Sequence, residues 1–142
     1  MMYQADLARF IRAFEHITED KVDLLAEVYT EDAIFKDPFN EVSGHAGILR
    51  IFRHMYKRVE GAKFVVTNKI LQDDNAFIVW DFQFSLKGQQ ICQHIHGSSH
   101  IKFAHDGKVY YHRDYWDAAA ELYEKIPVLG MMMRFLKKRA RA

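Results

Sequence analysis

Apolar residues in the first sixty positions recur every three or four residues. Leu7, Phe10, Ile11, Phe14 and Ile17 fall on one face of a helix expected over residues 3 to 17. Thr18 stands where an N-cap would open a second, short helix. That helix would run to Tyr29 and turn Val22, Leu25, Ala26 and Tyr29 inward. "DAIFKDPF" predicts a short strand stopped by Pro38. After the loop "NEVSGHAG", Ile48, Ile51, Phe52, Met55 and Val59 line a third helix, which Gly61 is expected to end.

Beyond Gly61 the period shortens to two. "KFVVTNKIL", "NAFIVWDFQFSL", "QQICQHIHGSSHIKF" and "KVYYHRDYWD" are rich in β-branched and aromatic residues. "QDDN", "KGQ" and "HDG" separate them with turn chemistry, and Asp106-Gly107 is the strongest hairpin signal. Such short links imply four long antiparallel strands. Helix returns from Ala118 to Lys125, Pro127 and Gly130 interrupt it, and a last helix is expected from Met131 to Arg139. The whole reads as one α+β domain over residues 1 to 142. A bent antiparallel sheet is wrapped by three N-terminal helices into a cone, with its core in residues 5 to 117 and a helical extension over 118 to 142.

Composition narrows this picture. With 142 residues, 49% of them hydrophobic, and 11 Phe, 7 Tyr and 2 Trp, the chain can build a core and is not disordered. A formal net charge of +1 carries no nucleic-acid signal. Cys92 is the single cysteine, so no intramolecular disulfide forms; it is expected to pack as a small hydrophobe. "MMYQADLARF" lacks the apolar run of a signal peptide, and no window reaches the roughly 18 apolar residues of a membrane span. A soluble, reduced, cytoplasmic protein is expected. The last twelve residues, "MMMRFLKKRARA", hold five basic residues and no acid. They read either as a solvated helix end or, as a minor alternative, as a segment touching anionic lipid.

Candidate chemistry gathers in "KVYYHRDYWD". A strand burying one face would set Asp114 between His112 and Trp116, and a buried carboxylate without partners costs several kcal/mol. Asp114 is therefore either on the wet face or in a cavity that uses it. Trp80, Phe82 and Phe84 alternate with Asp81 and Gln83, as core or as the wall of a ligand site. Asp37 precedes Pro38 and reads as either a base or a turn cap. His94, His96 and His100 share strand parity opposite Ile91, Ile95, Ile101 and Phe103, and Gly97 could mark a bulge. His-x-His suggests a metal pair, but a polar outer face is the simpler reading, and a metal-free, cofactor-free site is expected.

This element order, with "YTEDAIFKDPFNEVSGHAGI" and "DGKVYYHRDYWD" in these places, resembles the nuclear transport factor 2-like superfamily, in its SnoaL-like and ketosteroid isomerase-like branch. The resemblance covers residues 5 to 117. It implies that Asp37 of "KDP" matches the general base of the isomerases. Their oxyanion donors, a helix Tyr and a strand Asp, correspond here to Ala13, with Phe14 beside it, and to Ser99. "RDYWD" resembles the last-strand motif of limonene epoxide hydrolase-like members, which makes Asp114 the acid. Residues 94 to 103 hold no Arg or Asp to complete that set. SnoaL-like cyclases pair an Asp with a His, which suits Asp114 and His112.

The resemblance thus points His112, Asp114 and Trp116 into the cone. It turns Tyr111, Arg113 and Tyr115 to an outer face through which the chain would form a homodimer. It implies a small-molecule pocket with Asp114, Asp37 and His112 catalytic. Trp80, Phe82, Trp116, Ser99, Phe14 and His54 would bind a small apolar molecule, cyclic and polyketide- or terpenoid-like. The chemistry would be acid/base, of isomerase, cyclase or hydrolase type. The alternative is a non-catalytic ligand-binding or dimerisation module of the same fold.

Overall fold

The structure is a computed structural model that describes residues 2–121 and 138–140. Helix α1 (Gln4–Glu15) is followed by a 3-10 helical run (Glu19–Val28), strands β1 (Tyr29–Lys36) and β2 (Glu41–Ser43), and helix α2 (His45–Arg58). Strands β3 (Val59–Gln72), β4 (Asn75–Leu86), β5 (Gln93–Phe103) and β6 (Val109–Trp116) come next, and α3 (Ala118–Glu121) closes the described core. One curved, unclosed sheet runs in the order β2-β1-β6-β5-β4-β3. The four long strands pair antiparallel in sequence order. β1 joins the far side of β6 in parallel, which makes the sheet mixed rather than a pure meander.

The helical period of the N-terminus arises as expected, with Leu7, Phe10, Ile11 and Phe14 buried on α1. The second predicted helix differs. It is a 3-10 run kinked at Lys21, and the Thr18 hydroxyl bonds the Asp20 carboxylate at 2.6 Å instead of capping the backbone. Tyr29 leaves that helix and opens β1. Helix α2 buries Ile48, Leu49, Phe52 and Tyr56, and it ends at Arg58, before Gly61. Gly61, with φ +63°, sits inside β3 where Glu60 pairs with Ser85 and Lys63 with Gln83. It supplies the left-handed residue of a bulge, not a helix cap.

The bulge expected at Gly97 lies elsewhere. Gly97 lies in unbroken register, opposite Trp80 on β4. Its missing side chain makes room for the indole, since a Cβ there would stand 2.5 Å from Trp80 Cη2. The irregularity falls instead between Phe103–Val109 and Lys102–Tyr111, which leaves Tyr110 as the extra, exposed residue of β6. Val109 and His112 therefore share the inner side, although they are three apart. Strand β5 starts at Gln93, so Ile91 and Cys92 lie exposed before it rather than packed inside.

The core sits between the concave sheet face and the helices. It joins α1, the 3-10 run, α2 and the inward residues of all the long strands. Helix α3 is described over Ala118–Glu121; the rest of the helix expected to Lys125, the break at Pro127 and Gly130, most of the last helix and most of the basic tail lie outside the described residues. No helix among the described residues is long and apolar enough to cross a membrane.

Candidate active site

Register decides the centre of the site. On the inner face Ser99 stands directly opposite Asp114, Ile101 opposite His112 and Gly97 opposite Trp116. Alternation places His112 and Asp114 two residues apart on one side of β6. Trp80 lies diagonally across β4, its indole over Gly97. Tyr29 reaches the same place from β1, on the other flank of β6.

These five side chains form one chain of hydrogen bonds. Trp80 Nε1–H donates to Ser99 Oγ at 2.8 Å, and Ser99 donates to Asp114 Oδ1 at 2.5 Å. His112 Nε2 is 2.7 Å from the same oxygen, and Tyr29 Oη is 2.6 Å from His112 Nδ1. A neutral imidazole protonated at Nε2 gives every hydrogen in the chain one acceptor: Tyr29 donates to Nδ1 and His112 donates to Asp114. With both ring nitrogens protonated, the phenolic hydrogen of the buried Tyr29 would lose its acceptor, a costly loss in a dry site. Burial, with the Asp114 charge adding to it, holds the Tyr29 phenol well above its ordinary value near 10, so it serves as a donor.

The surroundings are aromatic. Phe10, Phe14 and Phe35 stand edge-on to the His112 ring at centroid distances of 5.4, 5.8 and 4.8 Å. His112 is only 3% exposed, whereas the Asp114 side chain keeps 18% of its surface. Asp114 Oδ1 takes both donated hydrogen bonds, and Oδ2 has no partner among the described residues.

Asp114 lies where two cavities meet. An inner chamber of about 30 Å³ is lined by Phe10, Phe14, Ser99 and His112, among others. An outer cleft of about 210 Å³ is lined by Asp37, Asn40, His54, Phe82 and Trp116, among others. Phe52, Phe64, Trp80 and Asp114 border both. The chamber has room for about one water, while the cleft exceeds the roughly 150 Å³ that holds benzene in an engineered apolar cavity.

Asp37, Asp114, His112, Trp80, Phe82, Trp116, Ser99, Phe14 and His54 thus all border the chamber or the cleft. Asp37 and Asp114 share the cleft wall but are held differently. Asp37 Oδ1 accepts the backbone N–H groups of Phe39 (2.8 Å) and Asn40 (2.7 Å), and the Asn40 side-chain amide approaches both of its oxygens. It caps its own turn and borders the cleft at once. His54 lies at the exposed rim, where Arg58 Nε donates to its Nε2 at 3.1 Å. Sequence periodicity missed Tyr29, since its partner His112 is 83 residues away. It also read Phe10 and Phe52 as core alone.

The histidines of β5 face outward. His94 bonds Asp81 at 3.0 Å, and His100 bonds Asn75 at 2.7 Å and stacks on Phe77. No group of three or more His, Cys, Asp or Glu among the described residues is placed to hold a metal ion. On the same outer side Arg113 lies over the Tyr115 ring, 4.6 Å from its centroid.

A curved mixed sheet with helices over its concave face is the nuclear transport factor 2-like fold. Residues 7–112 match the SnoaL-like domain model, and the chain belongs to that family. No curated protein matches it in sequence. Among solved structures it is similar to a Catenulispora acidiphila protein with a ketosteroid isomerase-like fold, in complex with trimethylamine. That match has a TM-score of 0.73 at 12% identity and covers 84% of this chain and 90% of the other. A Shewanella denitrificans protein assigned to the SnoaL-like polyketide cyclases has a TM-score of 0.69 at 16% identity, covering 85% and 96%. TerC, co-crystallised with polyporic acid, has a TM-score of 0.70 at 15% identity, covering 83% and 93%. At these identities the likeness is one of fold.

Proposed function

We propose that the cleft is a small-molecule site in which Asp114 and His112 carry out cofactor-independent acid/base chemistry on an apolar, cyclic compound of polyketide or terpenoid type. One observation carries this reading. Asp114 has one oxygen fixed by Ser99 and His112 and the other unengaged, at the junction of two aromatic-lined cavities. A carboxylate aimed by two donors is positioned to take a proton from a carbon beside a carbonyl, or to deliver one to an oxygen. His112, held as a donor by Tyr29, stabilises the charge on Asp114 and shares its proton. Asp37 is the second carboxylate of the cleft, and Trp80, Phe82 and Trp116 are its apolar walls. Two proteins of this fold hold small molecules, trimethylamine and polyporic acid, which supports reading the cleft as a binding site.

The test is turnover of a panel of cyclic enones, epoxides and polyketide-like ketones. For a compound that is turned over, Asp114→Asn will lower kcat by roughly 10²- to 10⁴-fold. Unchanged kcat in both Asp114→Asn and Asp37→Asn removes the mechanism. A ligand-binding module without chemistry is the rival, and one fact favours it: the bonds from Trp80 through Ser99 to Asp114 also tie β4, β5 and β6 together. Binding without turnover across the panel would decide for it. The outer face carrying Tyr111, Arg113 and Tyr115 is proposed as the contact with a second copy, and sedimentation as a monomer that Arg113→Glu leaves unchanged would refute this.

A further inference from the structure

We infer that the natural ligand is an amine: a protonated nitrogen on an apolar body, seated against Asp114. The inference rests on the cleft being a ligand site: it keeps the apolar body proposed above and adds a basic nitrogen to it. Three observations carry it. Among the described residues no Lys or Arg lines the chamber or the cleft, while Asp114 borders both and Asp37 borders the cleft. Next, the hydrogen-bond chain occupies Asp114 Oδ1 and leaves Oδ2 without a partner, and no Lys or Arg among the described residues is paired with that carboxylate. Last, the walls that meet at Asp114 are the rings of Phe52, Phe64 and Trp80.

A carboxylate with one free oxygen beside clustered aromatic rings is complementary to an ammonium group. The free oxygen accepts a charge-assisted hydrogen bond from N–H⁺, and ring quadrupoles attract the cation. A neutral hydrocarbon would gain the apolar contacts but leave the partly buried charge unpaired. An anionic ligand would meet two carboxylates. Arg58 is turned to His54, while Lys36 and Arg113 border the neighbouring open groove together with Asp37, Asp114 and Asp117. That groove carries Lys, Arg and Asp side chains, whereas the described lining of the cleft holds Asp37, Asp114 and His54 and no Lys or Arg.

The test compares two probes of one shape, N,N-dimethylbenzylamine, cationic at pH 7, and its neutral isostere isobutylbenzene. Binding is read from the Trp80 indole N–H resonance and from tryptophan fluorescence, on the wild-type chain and on Asp114→Asn. The amine is expected to bind roughly tenfold to a hundredfold more tightly than the hydrocarbon, and Asp114→Asn is expected to erase that preference while leaving the hydrocarbon's affinity in place. Because the preference is measured first in the wild type, it does not depend on how the variant folds. Equal affinity of the two probes, or a preference that survives Asp114→Asn, overturns the amine inference and leaves the cleft as a ligand site. Failure of both probes to bind the wild type overturns it and counts against the site as well.

Discussion

Asp37 and Asp114 line one cleft, and the surroundings of each are built on different length scales. Asp37 is held by donors two and three residues along the chain, in a turn whose Phe39 and Asn40 are exposed. Asp114 is held by Ser99 from β5 and by His112, which is fixed in turn by Tyr29 from β1 on the other flank of β6. A carboxylate capped by its own turn keeps its geometry in any fold that preserves the turn. One held by three strands has its geometry only when the sheet is in register. Preorganisation of the second kind is what catalysis or selective binding requires, since it resists relaxation around the ligand.

The contrast can be broken or sharpened by paired substitutions, each comparing a residue beside Asp114 with its counterpart in the Asp37 turn. Phe10 is 1% exposed and packs against both Tyr29 and His112. Phe10→Ala should cost about 3–5 kcal/mol in urea unfolding. Phe39, half-exposed beside Trp116, should cost about 1 kcal/mol or less on change to Ala. Similar losses at the two positions would mean that the turn is as deeply built as the network.

A smaller difference is expected among the polar partners. Ser99→Ala strands the Trp80 N–H and removes a donor to Asp114, for about 1–3 kcal/mol. It should also shift the Trp80 indole resonance. Asn40→Ala, which removes an exposed amide, should cost about 0.5 kcal/mol or less. If Ser99→Ala proves as mild as Asn40→Ala, water replaces the serine and the chain of bonds is not rigid.

The smallest effect is one of pH. The folded-state pKa of Tyr29 is raised above its unfolded value near 10, so above that pH the native state binds more protons than the unfolded one. Its contribution to stability is complete below pH 10 and is lost as pH rises through the folded value. Unfolding free energy measured from pH 8 to 11 should therefore fall more steeply in the wild type than in Tyr29→Phe. Tyr56, whose phenol burial also raises, contributes its own slope to both. Identical slopes would show that Tyr29 exchanges with water.

Periodicity alone located α1, α2 and the inward aromatic stripe Trp80, Phe82 and Phe84, because burial of one face is imposed by local geometry. Asp106-Gly107 placed the β5–β6 turn, where Gly107 adopts φ +84°. The Asp-Pro turn was legible for the same reason, since Asp37 finds its donors within three residues. The glycines at 61 and 97 were not, because a bulge and a slot for an indole exist only once β4 lies alongside. The extra residue at Tyr110 was hidden likewise, being defined by pairing with β5.

Sequence by itself determined an α+β domain with an aromatic inner face and placed the Asp and His residues of the proposed site on it. Alternation along β6 even set His112 beside Asp114. Only the tertiary structure decided that Tyr29 ends up on His112 and Ser99 on Asp114, and that Asp114 meets both cavities. Those contacts span 15 to 83 residues and depend on sheet order and on the parallel pairing of β1 with β6. Strand pairing between distant segments is set by the packing of the whole sheet, and no local pattern encodes it.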